Sequence, residues 1–177
     1  MRLRRLLPLL CLVLAASSRP AFADATLFIG TTNVSDSANA KRQTTKGFAV
    51  GAGVLVVGVE FEYAQTSEDT ERFGPSLRTG VGNVYVQTPI PLAGMQFYAT
   101  TGGGLYREHS TVGTVGTAAD VHKTGFTSNT GGGVKISLLG PLKARLDYRI
   151  FTLLGDKPRA NWRGTVQRLY AGATLGF

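Results

Sequence analysis

Residues 143–154 read KARLDYRIFTLL. Lys143, Arg145, Asp147, Arg149 and Phe151 take every second place. Leu142, Ala144, Leu146, Tyr148 and Ile150 take the places between. A period of two is the period of a β-strand, whose successive side chains point to opposite faces. A strand with four charges on one face and bulky apolar groups on the other divides two different media. No other stretch constrains the fold as tightly.

The same period recurs along the chain. ATLFIGTTNV (25–34), TGVGNVYVQT (79–88), MQFYATTGGGLYR (95–107), GFTSNTGGGVKISL (125–138) and VQRLYAGATLGF (166–177) each read as one strand. GFAVGAGVLVVGVEFEYAQT (47–66) is long enough for two, with a turn near Gly53 to Val56 that no Asn-Gly or Pro marks. Eight strands result. After Asp24 no helical period of i, i+3, i+4, i+7 persists for two turns, and no apolar stretch reaches the length of a transmembrane helix.

The connections alternate. Polar segments at 35–46, 67–78, 108–124 and 155–165 take turns with the short links near 53–56, at 89–94 and at 139–142. The longest, EHSTVGTVGTAADVHKT, is expected to be a loop. A membrane barrel built from one side keeps its turns short there and sends its long loops across, and an even strand number returns both termini to one side.

A soluble sheet also alternates, so three further observations decide. The polar faces carry charges of both signs on different strands: Glu60 and Glu62 against Lys135, Arg145, Arg149 and Arg168. Glycines cluster on those faces, where a narrow interior has little room. Tyr and Phe near strand ends suit an interfacial girdle. In lipid every backbone group must be satisfied internally, so the strands must close into a ring. The expected fold is an all-β, eight-stranded antiparallel up-and-down transmembrane barrel over 24–177. Leu169, Ala171, Ala173, Leu175 and Phe177 face lipid as the last strand closes against the first.

Residues 1–23 carry an address. Arg2, Arg4 and Arg5 precede an apolar run from Leu6 to Ala16, and Ala21-Phe22-Ala23 stands ahead of Asp24. This is the pattern of a secretory signal peptide, with cleavage expected between Ala23 and Asp24. Cys11 lies inside the apolar run behind Leu9 and Leu10, which suits that run better than a lipidation site. Past it the chain has no cysteine for a disulfide or a thiolate metal site. Loss of Arg2, Arg4, Arg5 and Arg19 lowers the formal charge from +8 to +4, so the basic balance does not argue for nucleic acid.

The stretches VEFEYAQT, FYATTGGGLYRE, NTGGGVKISLLGPLKARLDYRIF and RLYAGATLGF, in this order and spacing, resemble the small outer-membrane β-barrel family, the OmpA/OmpX type of eight-stranded barrel. The resemblance covers nearly all of 24–177. It implies residence in the outer membrane of a Gram-negative bacterium, contact with outer-membrane lipid and lipopolysaccharide, and delivery by periplasmic chaperones and the outer-membrane assembly machinery. Tyr170, Leu175 and Phe177 resemble the C-terminal signal read by that machinery. A cell-wall tether after Phe177 is not expected.

Eight strands enclose a lumen just wide enough for side chains to fill. Glu60, Glu62, Lys135, Arg145, Asp147, Arg149 and Arg168 are therefore expected to form an interior charge network that plugs it. The alternative is a small-solute or ion path that opens when pairs swap partners. Catalysis is not expected. Glu108, His109 and Ser110 are adjacent, so their side chains diverge on extended backbone, and His122 lies at the far end of the same polar segment. The His-x-Ser-Asn pattern of the lipid A deacylase barrels is absent. His109 and His122 with Asp120 make a poor metal site, and the GGG runs at 102–104 and 131–133 lie within strands rather than before a helix. No cofactor is expected. Lys41, Arg42 and Lys46 in the first long connection, and Lys157, Arg159, Trp162 and Arg163 in the last, leave an extracellular ligand open.

Overall fold

The computed structural model describes residues 22–33, 42–68, 76–114, 117–154 and 164–177, the side chains of 110–114 and 117–122 excepted. Eight strands follow in chain order: β1 (Phe22–Asn33), β2 (Gln43–Val54), β3 (Val57–Thr66), β4 (Ser76–Gln87), β5 (Met95–Thr114), β6 (Thr117–Leu139), β7 (Leu142–Leu154) and β8 (Thr165–Gly176). Each pairs antiparallel with its neighbour in sequence, and β8 returns to β1, so the barrel is closed. Asp24 stands opposite Gly176 and Asn33 opposite Gln167. Beyond this ladder, Ala23 and Phe177 exchange two backbone hydrogen bonds of 3.2 and 2.9 Å. Closure removes the free edges that an open sheet would expose.

The alternation sorts the side chains as the sequence predicts. In β7, Arg145, Asp147, Arg149 and Phe151 are buried, while Leu146, Tyr148 and Ile150 are exposed. Leu27, Ile29, Val59, Phe126, Leu169 and Leu175 stand open on the outer wall. Leu27 is 72% exposed and the Arg149 side chain 0%, so this barrel is apolar outside and charged within.

Four findings differ from the sequence reading. The segment 108–124 belongs to a long hairpin: β5 runs to Thr114, β6 starts at Thr117, and the register is unbroken from Met95↔Ile136 to Thr114↔Thr117. Its Thr, Val and Ala favour strand, but its polar residues mask the apolar alternation of a lipid-facing wall. Strands also reach further than expected: β1 includes Phe22 and Ala23, β2 begins at Gln43 and β4 at Ser76. The aromatic girdle is partial, because Tyr85, Tyr98, Tyr106 and Tyr170 are buried inside and Tyr63 and Tyr148 face outward. Gly80, Gly82, Gly103 and Gly132 face outward, unlike the interior glycines. The β2–β3 turn falls at Leu55–Val56, where Leu55 holds a left-handed φ of 56° without being glycine.

Candidate functional site

The lumen is the one place where this fold concentrates chemistry among the described residues. At the end with the short turns, Lys135 of β6 donates to Asp24 of β1. Lys143 Nζ lies 3.9 Å from the other carboxylate oxygen. The Tyr85 and Tyr98 rings stand 5.2 and 5.7 Å from the Lys135 ammonium. Their π faces add cation–π attraction where water is scarce.

Above this pair lies a cluster of six charges. β3 brings Glu60 and Glu62, β7 brings Arg145, Asp147 and Arg149, and β8 brings Arg168. Arg145 grips Glu60 through both terminal nitrogens, at 2.5 and 3.2 Å, and reaches Asp147 at 2.8 Å. Arg149 donates to Glu60 at 2.7 Å and to Asp147 at 3.1 Å, and its second terminal nitrogen lies 3.1 Å from Glu62. Arg168 donates to Glu62 at 3.0 Å. The Tyr170 hydroxyl sits 2.8 Å from Glu62 and 2.9 Å from Asp147. Tyr98 donates to Asp147 and accepts from Arg145 Nε at 2.7 Å.

Three carboxylates face three guanidiniums, so the cluster is formally neutral. That balance lets it exist: an unpaired ion in such surroundings costs several kcal/mol, whereas a paired and fully hydrogen-bonded set roughly breaks even. The arginines are suited to the task because each presents a planar fork of five donors. Glu60 and Glu62 reach them from another wall of the barrel, whereas Asp147 is the neighbour of Arg145 and Arg149 on β7 itself.

Toward the loop end the lining changes. Arg168 also donates to Thr32 at 3.4 Å and to Thr79 at 3.2 Å. Thr32, Thr45 and Thr66 continue as a hydroxyl chain at 2.5 and 2.8 Å. Beside these threonines lies a fully buried apolar cluster of Leu77, Val81, Tyr106, Phe151 and Val166, with Leu77 the register partner of Thr66. The Phe151 ring stacks 4.4 Å from the Arg168 guanidinium carbon. The lumen is thus filled by an ion pair, then a charge cluster, then threonines and apolar side chains set side by side.

Six of the seven charges named from sequence meet in one cluster. Lys135 sits apart with Asp24, a residue the sequence marked only as a cleavage flank. Asp24 was legible in principle: it extends the inward series Thr26 and Phe28 by one step. Tyr98, Thr32, Thr45 and Thr79 were not singled out, since a lone Tyr or Thr in a strand carries no signal of its partner. Leu175 and Phe177 share the outer face, while Tyr170 points into the cluster.

Glu108 is buried on the inner side and His109 belongs to the outer series, so the two diverge. His109 and His122 are not loop residues: the register sets them opposite each other on adjacent strands. The side chains of Ser110, Asp120 and His122 lie outside the described ones. Lys41, Lys157, Arg159, Trp162 and Arg163 lie outside the described residues altogether. Among the described residues no group of three His, Cys, Asp or Glu could hold a metal ion.

No family model matches the chain, and no curated protein matches its sequence. Solved structures do match its fold. Neisserial surface protein A, NspA, is 13% identical, with a TM-score of 0.70 over 90% of this chain and 100% of that one. The N-terminal β-barrel domain of Pseudomonas aeruginosa OprF is 14% identical, with a TM-score of 0.61 over 88% and 97%. Ail, the attachment invasion locus protein of Yersinia pestis, is 13% identical, with a TM-score of 0.57 over 90% and 100%, in a complex with the heparin analogue sucrose octasulfate. The chain has the fold of the eight-stranded outer-membrane barrels.

Proposed function

We propose that this protein is exported, inserted into a bacterial outer membrane, and acts there as a sealed barrel whose role lies on its outer surface rather than in its lumen. The single observation that carries this reading is the filled lumen. The neutral cluster around Arg149 adjoins the buried apolar side chains Leu77, Val81, Tyr106, Phe151 and Val166. A hydrated ion would have to displace both the paired charges and these packed side chains. The apolar outer wall supports residence in a bilayer, because closed barrels satisfy their backbone internally and can face lipid.

Delivery by periplasmic chaperones and an outer-membrane assembly machinery follows from the same reading, with the signal-like segment 1–23 as the export address. The long β5–β6 hairpin offers a surface for contact outside the cell. Against catalysis speaks the divergence of Glu108 and His109 to opposite faces of one wall, since a nucleophile, base and orienting acid must converge. The test is conductance of the folded protein in planar bilayers. A silent membrane is the expected outcome. Discrete openings that change on replacing Glu60 or Arg145 would replace the sealed barrel with a channel.

A further inference from the structure

The outer wall carries cations at one place only among the described strand side chains. Lys46 of β2, Gln65 of β3, Arg78 of β4, Arg107 of β5 and Thr124 of β6 are successive register partners and form one row across five strands. Lys46, Arg78 and Arg107 are exposed on the outside. The carboxylates of the described strand side chains, Asp24, Glu60, Glu62, Glu108 and Asp147, are all buried on the inside. Arg78 and Arg107 stand directly opposite each other. Like charges in that position repel, unless an anion lies between them.

The next row toward the short turns is Phe48, Tyr63, Gly80, Leu105 and Phe126. The row after it includes Phe61, Gly82, Gly103 and Ser128. A side chain added at Gly80 or Gly82 would meet no atom within 4 Å. Directly below Arg78 the wall therefore drops into a shallow furrow, bordered by Phe61 and Tyr63 on one side and, beneath Arg107, by Leu105 and then Phe126 on the other.

We propose that this row and furrow bind one phosphorylated glycolipid of the outer leaflet, lipopolysaccharide, with its phosphates on Arg78, Arg107 and Lys46 and an acyl chain along Gly80, Gly82 and Gly103. The inference rests on the outer-membrane reading above. Guanidiniums take phosphate bidentately, which a lone ammonium cannot do. Neighbouring strands lie about 4.8 Å apart, so Lys46, two strands from Arg78, stands roughly 10 Å away and can reach a second phosphate. The aromatic border sits where amphipathic rings favour the boundary between headgroup and chain.

The test measures glycolipid binding to the full chain folded in detergent micelles, by native mass spectrometry. The probes are rough lipopolysaccharide, the same lipid dephosphorylated, inorganic phosphate and a soluble sulfated oligosaccharide. The phosphorylated lipid is expected to bind, and the Arg78→Gln/Arg107→Gln variant to bind roughly tenfold or more weakly. Arg78→Lys/Arg107→Lys is expected to retain part of the affinity. Gly82→Leu, which fills the furrow without touching a charge, is expected to weaken binding several-fold, on the order of one buried side chain's worth.

Equal binding of phosphorylated and dephosphorylated lipid, or unchanged binding by the Gln variant, overturns the inference. So does preference for the soluble sulfated sugar, or unchanged lipid binding by the Gly82→Leu variant. Cold gel mobility verifies that each variant is folded. Insertion into phosphatidylcholine vesicles free of glycolipid is measured separately. A protein that enters those vesicles but ignores the glycolipid refutes this inference and leaves the membrane reading standing.

Discussion

Replacing Arg149 with methionine removes one guanidinium that three carboxylates share. Its nitrogens lie 2.7 Å from Glu60, 3.1 Å from Glu62 and 3.1 Å from Asp147. The cluster would then hold three carboxylates against Arg145 and Arg168 alone. One buried negative charge is left without compensation, a loss of about 3–5 kcal/mol. With a urea dependence of about 1–3 kcal/mol per molar, the unfolding midpoint should fall by roughly 1–5 M.

The assay is urea unfolding of the barrel in lipid vesicles, read by circular dichroism and by cold gel mobility. The decisive comparison is Arg149→Met combined with Glu62→Gln. That pair restores neutrality and leaves an amide within reach of Arg168 and Tyr170. It should recover at least about half of the loss, giving a coupling of about 2 kcal/mol or more in the double-mutant cycle. If the double variant loses the sum of the two single losses, charge balance is not what holds the lumen together. A single-variant loss below about 1 kcal/mol would equally refute the argument.

Two further outcomes probe the wall and a turn. An alanine methyl at Gly131 would collide with the Tyr148 carbonyl oxygen and stand 2.9 Å from both Cα and Cγ of Arg149. Gly131→Ala should therefore destabilise by about 1–3 kcal/mol through overpacking, whereas Gly82→Ala, with open space outside, should gain about 0.5–1 kcal/mol; the same urea titration compares them. Leu55→Gly should raise stability by about 1 kcal/mol, because glycine relieves the left-handed φ of 56°; an unchanged midpoint would show that the turn is not strained.

The fold was legible because a barrel wall in lipid obeys one rule at every second residue. Leu146 and Arg145 could be assigned to opposite faces without knowing any partner. The eight-strand count survived even though nothing marked the turn at Leu55, since a strand pair as long as 47–66 has to reverse somewhere. Residues 108–124 were misread for a physical reason: the hairpin carries strand-forming residues without the apolar alternation of the other walls. Ion partners were beyond reach for another. Glu60 meets Arg145 and Arg149 only because the ring closes, and no local pattern encodes which residues face one another across it. The outer basic row was hidden likewise. Lys46, Arg78 and Arg107 look scattered along the chain and become neighbours only through the register.

Glu60 and Glu62 lie on β3, and the arginines that neutralise them lie on β7 and β8, 85 and 106 residues later for Arg145–Glu60 and Arg168–Glu62. During synthesis the acids therefore emerge long before their partners. Such distant contacts return nothing until the intervening chain has been ordered. A chain halted after β6 would carry Glu60 and Glu62 with no guanidinium from β7 or β8 to meet them, and could not form a dry interior. The lumen thereby acts as a completeness check: only a chain carrying its last two strands can neutralise its own centre, so closure is a single late event.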